Sequence, residues 1–308
     1  MSELILALFS ALALAVVFEM LRNLRIRFRT LNILIPSSGE PGRDSRYSIL
    51  HISDIHLTRD SLSRLEPLRK LAGREWDFIL ITGDLIDDDS GIAPVCKVLG
   101  ALKARYGKFA VLGNHDYTAY RARNPWQWLK LLSLTFYPVR FEVFCAPNAI
   151  DRLAGTLERN GIRLLRNELA EGWTESGEAY QIFGIDDPST NKDDPAPLYG
   201  SVRENALRLV IMHSPRRVES VKPFQPDLVL CGHTHGGQIR LPFFGAISTH
   251  SDAPRRACAG LTNLAGCRMH ISPGMGAGRV LPFRILAPPE ITEIVLEIQS
   301  GATRSGEV

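Results

Sequence analysis

The sequence predicts an α/β fold, and three observations carry that reading. Short apolar runs recur along the 308 residues, stretches with Leu and Ala at helical spacing follow the first three of them, and polar motifs sit at the ends of the runs. The runs at 47–52, 78–82, 109–112, 180–185, 207–212 and 227–231 have strand length and end in turn-forming or polar residues. Ile150 to Arg159 reads as a helix.

In chain order, the first feature is the charge-free run from Leu4 to Phe18, which reaches Leu21 if Glu19 is tolerated. That length lies at the lower edge of a spanning helix, so residues 1–21 are expected to be a hydrophobic membrane anchor helix. A secretory signal would place Lys or Arg before the run, but the charged side chain there is Glu3. Arg22, Arg25, Arg27 and Arg29 follow, and the positive-inside tendency puts that side in the cytoplasm. The expected location is therefore the inner (cytoplasmic) membrane, with the following domain facing the cytoplasm. The other reading is a hydrophobic helix docked on the domain itself.

Residues 22–46 are expected to form a basic strip and linker. The Arg-apolar alternation from Leu24 to Phe28 suits a strip that meets anionic headgroups, and Pro36 to Gly42 is rich in breakers. The domain proper is expected over 47–300, with an aromatic-rich insertion at 117–144 and a tail at 301–308. In the insertion Trp126, Trp128, Phe136, Tyr137, Phe141 and Phe144 mix with Arg121, Arg123, Lys130 and Arg140. That mixture fits either a lid that binds acyl chains at a lipid interface or a helical hairpin packed on the domain or on a second subunit.

A hydrophobic content of 45% fills one large core, and a formal charge of +3 gives no reason to expect nucleic acid. Cys96, Cys145, Cys231, Cys258 and Cys267 form no Cys-x-x-Cys pair, and an odd, scattered set is not a disulfide framework. A reducing compartment follows, with Cys231 a small buried residue.

Five polar motifs occur in order: Asp54-Ile55-His56, Gly83-Asp84-Leu85-Ile86-Asp87, Gly113-Asn114-His115-Asp116, His213, and Gly232-His233-Thr234-His235. Singly, the second and third are also ordinary turn chemistry. Together they offer enough donors for two metal ions about 3.5 to 4 Å apart. Carboxylate and amide oxygens suit Mg or Mn, and imidazoles suit Fe, Zn or Mn, so the mixed set favours first-row divalent ions. His51 is out of phase with the motifs and reads as a core or sheet-facing histidine. His250 and His270 lie downstream of every motif and are not expected to be ligands.

This order of motifs resembles the calcineurin-like metallophosphoesterase superfamily over residues 47–298. The strings Gly232 to Gly245 and Pro289-Glu290-Ile291-Thr292 resemble its membrane-associated bacterial phosphodiesterase branch, which includes UDP-2,3-diacylglucosamine pyrophosphatases of lipid A synthesis. The resemblance implies a four-layer α/β/β/α sandwich with metals at the strand C-terminal edge. It implies one ion on Asp54, His56, Asp84 and His235, and another on Asp84, Asn114, His213 and His233. A shared carboxylate at Asp84 offsets the repulsion between two dications. His115 is implied as the group that gives a hydrogen bond or proton to phosphate or leaving group, with Asp87 orienting its ring. The expected activity is hydrolysis of a phosphodiester or pyrophosphate bond, with UDP-2,3-diacylglucosamine, cleaved to UMP and the lipid monophosphate, as the sharpest substrate. A broad phosphodiesterase of another substrate is the second reading, and a non-catalytic scaffold that binds partners is the third.

Overall fold

The computed structural model describes residues 25–36, 45–122, 143–249, 253–278 and 283–299, with Ser10, Leu14, Phe18, Glu19, Asn23 and Ser251. In chain order the strands are β1 (Arg27–Pro36), β2 (Ser45–Ile52), β3 (Glu75–Thr82), β4 (Lys103–Val111), β5 (Thr118–Ala122), β6 (Val143–Pro147), β7 (Arg163–Leu164) and β8 (Glu168–Trp173). They continue as β9 (Ala179–Ile185), β10 (Ala206–Met212), β11 (Leu228–Cys231), β12 (Arg240–Leu241), β13 (Gly245–Ala246), β14 (Gly260–Leu264), β15 (Cys267–Ile271) and β16 (Glu290–Gln299). The two ten-residue helices are α1 (Ile92–Ala101) and α2 (Ile150–Arg159).

One six-stranded sheet runs β1-β16-β2-β3-β4-β7 and the other runs β14-β15-β11-β10-β9-β8. β2, β3 and β4 are mutually parallel, as are β9, β10, β11 and β15. Strands buried on both faces read as continuous apolar runs, which is why the central ones were legible. In β3, Phe78 and Leu80 enter the core between the sheets, while Ile79 and Ile81 enter the core under α1 and α2. In β10, Leu209 and Ile211 face the inter-sheet core, and Val210 and Met212 face the opposite side. There Val218, Val221 and Phe224 of a 3-10 turn (Val218–Phe224) cover the second sheet, in place of the α-helical layer expected on that side.

Arg27–Pro36 corrects the expectation of a strip and linker over 22–46. It is an edge strand, parallel to β16 from Arg27↔Glu290 to Pro36↔Gln299. Its inward side chains include Ile33 and Ile35, both buried in the inter-sheet core, while Leu34 is exposed. The Arg-apolar alternation that suggested a headgroup strip therefore continues as the period-2 signature of a strand with one buried face.

The expected anchor at 1–21 lies for the most part outside the described residues, and no helix among the described residues is long and apolar enough to cross a membrane. Residues 123–142 of the aromatic segment and His250 also lie outside them. The flanks of that segment pair as the β5–β6 hairpin, from Thr118↔Pro147 to Ala122↔Val143. All five cysteines are free, with Cys231 buried at the end of β11.

Candidate metal centre

The ends of three parallel strands of one sheet and two of the other lead into the candidate donors. β2 leads into Asp54 and His56, β3 into Asp84 and Asp87, β4 into Asn114 and His115, β10 into His213, and β11 into His233 and His235. Side chains beyond the carboxyl ends of parallel strands face a common crevice. Asp54, His56, Asp84 and His235 each offer a donor atom, and these atoms all lie within 4.8 Å of one another. Asp84, His213 and His233 do the same, so two potential cation positions share the Asp84 carboxylate. A third group, His56, Asp87 and His115, adjoins them.

Asn114 lies on the segment that follows β4. The backbone N–H of His115 donates to Asp84 Oδ1 at 2.8 Å, which ties the Asn114 loop to the shared carboxylate. Asn114 Oδ1 is buried and has no hydrogen-bond partner among the described residues. Leaving a buried acceptor unpaired costs about 1–3 kcal/mol. A buried amide oxygen of this kind is the sort of acceptor a cation satisfies, and the carboxylate and imidazole groups on the neighbouring loops suit oxygen- and nitrogen-seeking divalent ions.

The backbone is shaped for this purpose. Asp54, His56, Asp84, His233 and His235 all have positive φ, between 48° and 69°. Each such residue costs of order 1–3 kcal/mol, and clusters of them mark functional sites. The motif glycines permit close approach: a Cβ on Gly232 would collide with Ser53 Oγ and Asp54 Oδ2, and one on Gly113 with Asp84 Oδ1. Asp116 has a bracing role, accepting from the N–H groups of Leu85 at 2.8 Å, Ile86 at 3.1 Å and Gly113 at 2.9 Å, which locks the second and third motifs together.

Burial opposes the charge of Asp84, but His213, His115 and His56 outweigh it and hold the carboxyl well below its ordinary range. Burial also dominates at Asp54, where it raises the pKa. Asp87 is held low by His56 and His115 against the same burial penalty. Its Oδ1 lies 2.7 Å from His56 Nδ1 and 2.8 Å from His115 Nδ1, so one carboxylate oxygen orients both rings. Those rings meet edge to face with centroids 4.4 Å apart, and Tyr120 of β5 packs 4.7 Å from His115.

Several contributors were not singled out from the sequence. His51 and His270, read as non-ligands, are buried between the sheets with their Nδ1 atoms 2.8 Å apart. From His51 Nε2 the chain continues to Thr82 Oγ1 at 2.9 Å, from Thr82 to Ser53 Oγ at 2.8 Å, and from Ser53 to Asp54 Oδ2 at 2.5 Å. An ionised carboxylate only accepts. Ser53 therefore donates to Asp54, Thr82 to Ser53, His51 Nε2–H to Thr82, and His270 Nδ1–H to His51. His213 donates Nδ1–H to the Thr82 carbonyl at 2.7 Å, which leaves Nε2 for the centre. Arg284 is buried, and its Nη2 lies 3.1 Å from His235 Nδ1 while its other bonds go to backbone carbonyls such as Ala287 O. Burial lowers its pKa to about 10.

The calcineurin-like phosphoesterase family model matches residues 47–237 of the chain. Uncharacterized metallophosphoesterase YkoQ of Bacillus subtilis is 35% identical over 207 residues, which covers 66% of this chain and 66% of YkoQ. Phosphodiesterase YaeI of Escherichia coli is 28% identical, with 81% of this chain and 82% of YaeI covered. UDP-2,3-diacylglucosamine pyrophosphatase LpxG of Chlamydia trachomatis is 25% identical, with 79% of this chain and 81% of LpxG covered.

Proposed function

The chain belongs to the calcineurin-like phosphoesterase family and is a metal-dependent hydrolase, and from that premise we propose that it cleaves the pyrophosphate bond of UDP-2,3-diacylglucosamine to UMP and the lipid monophosphate, a step of lipid A synthesis. Asp54, His56, Asp84 and His235 would hold one divalent ion and Asp84, Asn114, His213 and His233 the other, with Mn the best fit among Mn, Mg, Fe and Zn. The observation that carries the two-ion reading is the membership of Asp84 in both donor groups, together with the orphaned Asn114 oxygen. When bound, such a pair supplies Lewis acidity and activates water as the nucleophile.

His115 supplies the proton. Asp87 engages its Nδ1, leaving Nε2 to face substrate. Burial pulls the His115 pKa down, but Asp84 and Asp87 outweigh it and raise it above the ordinary histidine value. In this role His115 gives its Nε2 proton to the leaving phosphate oxygen as the P–O bond breaks. Asp87 keeps the ring in place by bonding His56 as well.

The substrate rests on the likeness to LpxG and on the apolar run with its arginine cluster at the N-terminus, which we read as an inner-membrane anchor that leaves the domain on the cytoplasmic side. The architecture is taken as the four-layer sandwich, with 3-10 turns standing in the outer layer of the second sheet. The likeness to YaeI favours a second reading, a phosphodiesterase acting on another diester. Purified protein loaded with Mn or Mg should be assayed on UDP-2,3-diacylglucosamine, a cyclic nucleotide diester and an aryl phosphodiester. Fastest turnover of the first with release of UMP is expected; hydrolysis of the aryl diester alone would move the assignment to the second reading.

A further inference from the structure

The loop that carries His233 and His235 runs directly into the β12–β13 hairpin, whose tip is Phe243 and Phe244. Phe243 is 93% exposed and Phe244 74%, with Leu241 and Ile247 half-exposed beside them. Each exposed ring forgoes the burial that a Phe side chain ordinarily gains. Phe243 also holds φ 66°, an outlier for a bulky residue. Neither ring is covered by packing among the described residues, which leaves the tip open to a partner.

The hairpin is rigidly joined to the metal loop. A Cβ on Gly237, at φ 82°, would collide with Ala246, so the hairpin lies directly on that loop. The N–H of Ile247 donates to Ile239 O at 3.0 Å, that of Arg240 to Ile285 O at 3.0 Å, and that of Ile285 to Gln238 O at 2.9 Å. The tip therefore has one fixed orientation relative to His235. Its surroundings are cationic: Arg255 and Arg256 are exposed at its base, and Arg256 Nη2 donates to Phe243 O at 3.0 Å. From residue 238 to 278 the chain has four arginines and a single acid, Asp252.

We propose that this hairpin docks the enzyme on an anionic lipid bilayer, with Phe243 and Phe244 at the headgroup–acyl boundary and Arg255 and Arg256 against lipid phosphates. Aromatic rings settle at that depth, and each nearby cation adds attraction to an anionic leaflet. A second copy of the chain fits less well. Two aromatic side chains bury roughly 150–250 Å² each, short of the roughly 800 Å² per partner in a stable interface, and a symmetric contact would bring the arginines together. Docking here would present the metal centre to a lipid-borne substrate, and in that respect the inference rests on the proposed lipid substrate.

The test uses the full chain carrying Phe244→Trp, with Phe243→Trp as a second variant should the first fail to fold. Vesicles of phosphatidylcholine with brominated acyl chains are added, with or without phosphatidylglycerol. The added indole should shift to the blue and lose emission to bromine, compared with the parent protein, when phosphatidylglycerol is present. Adding Arg255→Ala and Arg256→Ala should weaken that loss. An indole that stays unquenched, whether or not the protein sediments with the vesicles, overturns the proposal. So does a blue shift that grows with protein concentration without lipid, which would make a second copy the occupant. Turnover is not read, so the absence of UDP-2,3-diacylglucosamine hydrolysis leaves this outcome independently legible.

Discussion

The two halves of the metal centre are held in different ways. On one side Asp54 receives the hydrogen-bond chain from His270, His51, Thr82 and Ser53, and His56 is fixed by Asp87. On the other side His213 is held by the Thr82 carbonyl, but the Asn114 oxygen is buried without a hydrogen-bond partner. The first half is braced by its own hydrogen bonds; the second keeps a buried unpaired acceptor that a cation would satisfy. Outer partners that orient a ligand strengthen metal binding, so the braced half should hold its ion more tightly.

The largest effect should come from the residue common to both halves. Asp84→Ala removes the shared carboxylate, and both ions and essentially all turnover should be lost by metal analysis and assay. Full metal content in that variant would falsify the sharing. Next is His115→Ala, which should keep its metal and lose about 10²- to 10⁴-fold in rate, the usual range for a positioned acid. Unchanged turnover would remove the proton-donor role. Ser53→Ala cuts the chain one step from Asp54, and should weaken the ion of the braced half by about 10- to 100-fold. Equal weakening of both ions would mean that the chain braces the whole centre.

The smallest effect concerns the far end of the chain. Burial lowers the pKa of His270 to about 3 and moves His51 in the same direction. An unfolded histidine titrates near 6.5, so between about 6.5 and 3 the unfolded chain binds protons that the folded chain refuses. Stability is therefore unaffected by the pair above about pH 6.5 and falls as the pH drops below it. His270→Asn, which keeps a donor for His51, should flatten that acid limb by up to about 1.4 kcal/mol per pH unit in denaturant titrations. An unaltered slope would show that His270 is already protonated in the folded chain.

The candidate donors stood out in the sequence because metal binding demands particular residue types, and because apolar strands place each motif at a turn. The supports were not legible for the opposite reason. Hydroxyls such as Ser53 and Thr82 are common in any strand end, and nothing in Arg284 separates it from other arginines until it is seen buried 3.1 Å from His235. The positive φ at Asp54 and His56 leaves no trace in composition. Among the larger elements, β1 was obscured because its arginines follow an apolar run and so drew the reading of a headgroup strip and linker. β12 and β13 have two residues each, too few for any period to emerge.

The difference between the halves is tested most directly by titrating metal-free protein with Mn and counting bound ions by calorimetry and elemental analysis, for the parent and for Asn114→Ala. Two ions of unequal affinity are expected in the parent, with the tighter one alone retained in Asn114→Ala. A single ion in the parent, or two retained with unchanged affinities in Asn114→Ala, would contradict a centre built on a shared Asp84 and completed by Asn114.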